Sequence, residues 1–251
     1  MLFNASPDIR IQIERTPALW PREAVRDTPI RAIVLIDAQI DHTTGLLILR
    51  ESQTPLRVYC TDPVYRDLTT GFPVLNLLEH YCGVRRHPVP IDGSGFEIAG
   101  VPGLRFYSHA LISKAPPYSP DRDHPQLGDN IGVVVEETTT GKKLYYAPGL
   151  CEIEPHVWEA MQRADCVLVD GTFWSDDELI RTVGVPKRAR EIGHLPVREM
   201  VEYLSRLPEK TRKILIHINN TNPILDETSP ERRAVEESGV EVSYDGMELQ
   251  I

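Results

Sequence analysis

Arg31-Ala32-Ile33-Val34-Leu35-Ile36-Asp37-Ala38-Gln39-Ile40-Asp41-His42-Thr43-Thr44-Gly45-Leu46-Leu47 is an apolar run that empties into a polar loop and then enters a helical pattern. The continuous run 33–36 suits a strand covered on both faces, as in a parallel sheet flanked by helices. Strand ends in such layered folds gather polar side chains along one edge of the sheet, so an Asp-His pair just past the strand is where a metal is held. The expected fold class is therefore α/β with a site at the sheet edge.

Working outward, β-rich segments alternate with helical ones. Strands are expected at 31–36, 56–60, 104–112, 131–137, 142–147, 166–170, 213–219 and 240–244, and helices at 7–15, 64–80, 155–163, 175–183, 197–207 and 229–238. In the last helix Ser229 is the cap, Pro230 occupies the first turn, Glu231 complements the helix dipole and Gly239 ends it. Thr138-Thr139-Thr140-Gly141-Lys142 between two strands signals a hairpin, so antiparallel pairing joins the crossovers. The mixture fits an αββα sandwich, read as a single domain over 1–251. The proline-rich stretch from Lys114 to Gly128 is a long loop of the kind that forms a lid or binding edge.

Composition narrows the partners. The chain has 251 residues, 41% hydrophobic and 25% charged, enough apolar content for a sizeable core. A net charge of −10 with no Lys/Arg-rich run argues against nucleic acid and anionic membranes. No stretch approaches the roughly 18 apolar residues that a membrane span needs, and the first residues lack a signal-peptide pattern, so a cytoplasmic protein with a small molecule or peptide as partner is expected. Cys60, Cys82, Cys151 and Cys166 are scattered without a Cys-x-x-Cys pair and read as buried free thiols.

Polar side chains stand out at four places: Asp41-His42, Asp170-Gly171-Thr172, Gly193-His194, and His217 with Asn219, Asn220, Thr221 and Asn222. Each has an ordinary explanation. Asp-His can be a turn, Asp170 an Asx-turn or helix cap, His194 a loop end, and His217 a hydrogen-bonded core histidine. All but Gly193-His194 lie at or beyond a strand end, so convergence on one site explains them together. Asp41, His42 and His217 make two histidines and one carboxylate, the facial set of non-haem Fe(II) oxygenases. A dizinc hydrolase would need more nitrogen ligands and a bridging carboxylate.

The Asp37–His42 loop resembles the His-x-His-x-Asp-His loop of the metallo-β-lactamase superfamily, with Asp37 and Gln39 in place of the first two histidines. A closer resemblance is carried by Asn4-Ala5-Ser6-Pro7-Asp8-Ile9-Arg10, Asp41 to Leu47, Lys114 to Pro120, Gly128-Asp129-Asn130-Ile131-Gly132, Tyr146-Ala147-Pro148-Gly149-Leu150, Asp170-Gly171-Thr172-Phe173-Trp174 and His217 to Leu225. These strings span essentially the whole chain and resemble the PqqB family of pyrroloquinoline quinone (PQQ) biosynthesis. The resemblance implies a metallo-β-lactamase-like fold. It also implies either an iron-dependent hydroxylase acting on the tyrosine of a Glu-Tyr unit from the precursor peptide, or a carrier of PQQ or its precursor toward the periplasm.

On the hydroxylase reading, Asp41, His42 and His217 bind Fe(II), dioxygen is the co-substrate, and Asp170 and His194 move protons. Lys114, Tyr118, Asn219, Asn220 and Asn222 are the candidates for holding the substrate, and a dimer is expected. Compared with the family, the sequence starts after a Gly-rich strand and a Cys cluster that binds a structural zinc, so those opening strands are expected to be missing. It also runs from Gly193-His194-Leu195-Pro196 straight into Val197, where a longer Gly-rich segment is expected.

Overall fold

The computed structural model describes residues 1–22, 24 and 26–251. It divides into two compact units, Met1–Ala110 with Lys114–Ile131, and Leu111–Ser113 with Gly132–Ile251. Each has its own strands, helices and apolar cluster.

In the first unit the elements are β1 (Leu2–Phe3), α1 (Ile9–Arg15), β2 (Ile33–Val34), α2 (Ile40–Thr43), β3 (Leu56–Cys60), α3 (Asp62–Asp67), α4 (Val74–Leu78), β4 (Val84–Pro88), β5 (Asp92–Phe96) and β6 (Leu104–Ala110). The strands β1-β2-β3-β4 form a parallel sheet in that order, with Ile33 opposite Val58 and Leu56 opposite Val84. Alternate residues Leu56, Val58 and Cys60 join Ile33, Leu35 and Leu46 in a core closed by Val64, Leu68, Val74, Leu75 and Leu78 from α3 and α4. Period-two alternation on the strand and helical spacing on its cover give the two layers one shared apolar face.

The single helix expected over 64–80 is two helices. Pro73, with no backbone N–H, starts α4 as its N-cap, and a Cβ on Gly71 would lie 2.4 Å from the Tyr118 carbonyl oxygen. The proline-rich loop occupies the space that a continuous helix would need. β1, β4 and β5 were not expected, since Val84-Arg85-Arg86-His87-Pro88 and Asp92-Gly93-Ser94-Gly95-Phe96 carry arginine, glycine and proline in place of an apolar run. Pairing with β3 and β6 makes them strands, and a register shift between Asp92 and Gly95 absorbs the glycines.

The second unit holds β7 (Ile131–Glu137), β8 (Lys143–Ala147), α5 (Pro155–Arg163), β9 (Cys166–Asp170), α6 (Glu178–Val183), α7 (Val197–Leu204), β10 (Arg212–Ile216), α8 (Pro230–Glu237) and β11 (Glu241–Val242). The order is β11-β10-β9-β8-β7, parallel from β8 to β11, with β7 and β8 antiparallel across the expected hairpin. In that hairpin Glu137 accepts from the Thr139 and Thr140 amides at 2.9 and 2.7 Å. Ser229 caps α8 by accepting from Arg232 N–H at 2.9 Å, as its sequence anticipates. Tyr145, Val167, Val169 and Leu215 from the strands meet Val157, Met161, Met200 and Leu204 from α5 and α7.

The cysteines are free thiols, Cys60, Cys151 and Cys166 buried and Cys82 half-buried. Burial pushes the thiols of Cys60 and Cys166 up to about 11 from 9.0. A thiol raised in the folded state stays protonated while the unfolded chain ionises, so its contribution to stability is complete below pH 9 and is lost as pH rises through 11. We expect the urea midpoint to fall across that window, and to fall less in a Cys60→Ala/Cys166→Ala variant. An unchanged slope in the variant would refute the assignment. Among the described residues no helix is long and apolar enough to cross a membrane.

Candidate metal centre

In the first unit the chain leaves β2 through Leu35 and Ile36 and turns at Asp37. The Asp37 carboxylate, in a residue 2% exposed, accepts from Gln39 N–H at 2.9 Å, an Asx-type turn that starts α2. The same oxygen lies 2.7 Å from His42 Nδ1. A carboxylate at that nitrogen keeps the proton on Nδ1 and the lone pair on Nε2, the tautomer in which imidazole serves as a metal ligand. Asp37, where the superfamily loop has histidine, thus orients the His42 imidazole. Asp41 projects from the same turn with its side chain 61% exposed and one oxygen 3.9 Å from His42 Nε2.

The loop is braced on both sides. Ala5 N–H donates to His42 C=O at 2.6 Å, and Gly45 N–H donates to Ala5 C=O at 2.9 Å. The Tyr118 hydroxyl donates to Ala38 C=O, and Gln39 Nε2 donates to Lys114 C=O at 3.3 Å. Burial, then the nearby Asp67 and Asp37 carboxylates, push the Tyr118 phenol well above its ordinary value, which keeps it a neutral donor. Tyr118 and the Lys114 backbone therefore tie the proline-rich loop to the Asp-His turn.

In the second unit, β9 delivers Asp170 and β10 ends at Ile216, one residue before His217. Asp170 is 0% exposed; its Oδ2 accepts from Leu150 N–H at 3.1 Å and lies 2.7 Å from His194 Nδ1, while its Oδ1 accepts from Thr172 N–H at 2.9 Å. Thr172 Oγ1 is 2.6 Å from Asp170 Oδ1, 3.0 Å from His194 Nδ1 and 2.8 Å from His217 Nδ1. The two imidazoles stack with centroids 5.5 Å apart. His194 reaches this place because Gly193, at φ 98°, turns the chain out of the 190–192 helical turn, a conformation favouring glycine.

His217 is not the interior strand residue that its apolar neighbours suggest. It has φ 58°, a left-handed conformation that costs a non-glycine residue about 1–2 kcal/mol and is found where surrounding contacts enforce it. Those contacts are present. Asn219 N–H donates to Thr172 C=O at 3.1 Å, and Asn222 Nδ2 donates to Gly171 C=O at 2.8 Å. Gly171 permits the approach, since a Cβ there would lie 3.0 Å from the Ile216 carbonyl oxygen.

Asp170, His194 and His217 each offer one ligand atom, all within 4.8 Å of one another. One carboxylate and two imidazoles suit a divalent first-row ion. Among the described residues no lysine or arginine pairs with the Asp170 carboxylate, so a cation there would offset the cost of burying it. The donor chemistry fits a metal.

The remaining expected residues divide. Asn219 Nδ2 donates to Thr221 Oγ1 at 2.6 Å, and Asn222 also accepts from Ile224 N–H at 3.1 Å, so both brace their loop; Asn220 is exposed and Lys114 half-buried. Sequence reading missed Asp37 and Thr172 as partners of the histidines. The spacing of Asp37 to His42 across a turn, and of Thr172 two residues after Asp170, are the signals that could have found them. It also missed Glu178, buried at 5% exposure, for which no sequence signal exists.

Comparison with known proteins gives this geometry a family. Residues 1–218 match the beta-lactamase superfamily domain. The chain is 63% identical over 99% of its length to the coenzyme PQQ synthesis protein B of Methylococcus capsulatus, and 59% identical over 100% to that of an Azoarcus species, in each case covering 83% of the relative. A 1.98 Å crystal structure of Zn(II)-bound PqqB from Methylobacterium extorquens superposes on 100% of the chain and 83% of that protein, at TM-score 0.87 and 32% identity. The fold class is accordingly the α/β, αββα metallo-β-lactamase-like sandwich anticipated from the sequence. With a buried carboxylate at a strand end beside two stacked histidines, and this identity along its whole length, the chain belongs to the coenzyme PQQ synthesis protein B family.

Proposed function

We propose that the protein acts in PQQ biosynthesis as an iron-dependent hydroxylase of the tyrosine in a Glu-Tyr unit derived from the precursor peptide. The observation that supports the pathway is the 63% identity to a relative named for PQQ synthesis. The chemistry is supported by the loop in which Asp37 replaces a histidine and holds His42 Nδ1 at 2.7 Å, leaving fewer nitrogen ligands than dizinc hydrolysis uses. The ligands of this proposal are Asp41, His42 and His217.

Bound iron would supply dioxygen activation, which zinc, the ion held by the Methylobacterium extorquens relative, does not. The chain's residues do the rest. Asp37 fixes the His42 tautomer. Asp170 holds the Nδ1 side of His194, orienting that imidazole to take or return a proton at the substrate phenol. Thr172 fixes the Nδ1 side of His217. Lys114 and Asn220 are the groups proposed to meet the substrate's carboxylate and backbone, with Tyr118 and Asn219 shaping the loops that carry them. Cytoplasmic location and a homodimeric state belong to the same proposal.

The test is anaerobic Fe(II) loading followed by dioxygen uptake and product mass with a Glu-Tyr peptide. We expect the product to gain one oxygen atom and His42→Ala to abolish the gain. A folded, iron-loaded protein that binds the peptide or PQQ tightly and turns nothing over would replace this reading with the carrier.

A further inference from the structure

We infer that Glu178 and Thr221 form a clasp that positions His217, holding the loop after β10 against the loop after β9, so that both are positioning residues for the metal centre. The inference rests on His217 being a ligand, as proposed above. Glu178 is an acid on α6 with only 5% exposure, and no lysine or arginine among the described residues pairs with it. Each of its oxygens serves a different loop: Oε2 accepts from Trp174 N–H at 2.6 Å, and Oε1 accepts from the Thr221 hydroxyl at 2.5 Å. Thr221 in turn accepts from Asn219 Nδ2 at 2.6 Å. A buried carboxylate with two strong donors is costly to leave half-satisfied, so the pair resists opening.

What lies between the clasped points explains its use. The segment from His217 to Thr221 contains the left-handed His217 and meets Thr172 across the loops, with Thr172 Oγ1 2.8 Å from His217 Nδ1 and 2.9 Å from His217 C=O, and Asn219 N–H donating to Thr172 C=O at 3.1 Å. With the Thr221 tether cut, the bonds to Thr172 and Gly171 are left to oppose relaxation of His217 toward an ordinary extended conformation, which would carry its imidazole away from the position 2.8 Å from Thr172 Oγ1. Neither Glu178 nor Thr221 contacts His217, Asp170 or His194 in any bond given above, so the effect is transmitted through the loop. Groups that orient a ligand in this way typically change metal affinity about 10–100-fold when removed.

The test uses Co(II) alone as the probe, on the full chain carrying Thr221→Val, which keeps shape and removes the hydroxyl. Two quantities are read: the Co(II) dissociation constant with its visible d–d spectrum, and hydrogen exchange of the Asn219 amide in the metal-free protein. We expect Thr221→Val to weaken Co(II) about 10–100-fold, shift the spectrum and speed the exchange, with Thr221→Ser restoring all three. Glu178→Gln is the second variant and should move them in the same direction. Faster exchange with unchanged Co(II) affinity would make the clasp a stability device only and overturn the inference. Unchanged exchange and affinity would overturn it outright. A His217→Ala control that binds Co(II) like the wild type would instead refute His217 as a ligand, and the inference would fall with it.

Discussion

Asp170→Ala should destabilise the second unit by about 3 kcal/mol and weaken divalent-metal binding through Thr172, which links the Asp170 carboxylate to the proposed ligand His217. Asp170 is 0% exposed and satisfies the Leu150 and Thr172 amides while it holds His194 Nδ1 and Thr172 Oγ1. Alanine strands those donors in a dry site, and each buried donor left without a partner costs about 1–3 kcal/mol. Asp170→Asn separates the two effects. One amide oxygen can still accept from Thr172 N–H, but an NH2 then faces the Leu150 amide, so partial stability should return while metal binding does not. Chemical denaturation and calorimetric metal titration of both variants check this. Metal affinity within twofold of wild type in Asp170→Asn would show that the carboxylate does not support the proposed ligand His217.

Gly45→Ala should cost about 3 kcal/mol or more and carry away the Asp-His turn, although no polar group is touched. An added Cβ would lie 2.2 Å from the Ser6 carbonyl oxygen and 2.6 Å from that of Ala5. Both are backbone atoms, so relief requires moving the 4–6 segment or the helical turns that follow α2. That segment also holds the turn: Ala5 N–H bonds His42 C=O, and Asn4 Oδ1 accepts from Ile36 N–H at 3.1 Å. Strain at residue 45 is therefore delivered to His42. We expect a lower urea midpoint and loss of metal binding together. A variant with native stability would show that the close approach of these chain segments is dispensable.

How much of this was legible depended on where the information sat. β3, β7, β9 and α5 carry their own apolar periodicity, and the expected ranges coincide with the observed ones. β4 and β5 carry none, because their conformation comes from the neighbour they pair with. The helix over 64–80 broke at Pro73 for a local reason, its missing N–H, and at Gly71 for a tertiary one, the passage of Tyr118. At the site, Asp170, His194 and His217 announced themselves as polar residues where strands run out or a glycine turns the chain. Their relations did not: the left-handed His217, the shared Thr172 hydroxyl and the Glu178 bond to Thr221 depend on residues up to 45 positions apart in the chain.

The exchange of histidine for Asp37 has a genetic side. Aspartate and histidine codons differ at one base, as do those of glutamine and histidine, so residues 37 and 39 each stand a single mutation from the His-x-His-x-Asp-His pattern. Such a step would not simply add a ligand. At residue 37 it would remove the carboxylate 2.7 Å from His42 Nδ1 and with it the group that sets which nitrogen of His42 carries the proton. A mutation at residue 37 toward the two-metal pattern would therefore disturb His42 before it completed a second set of ligands.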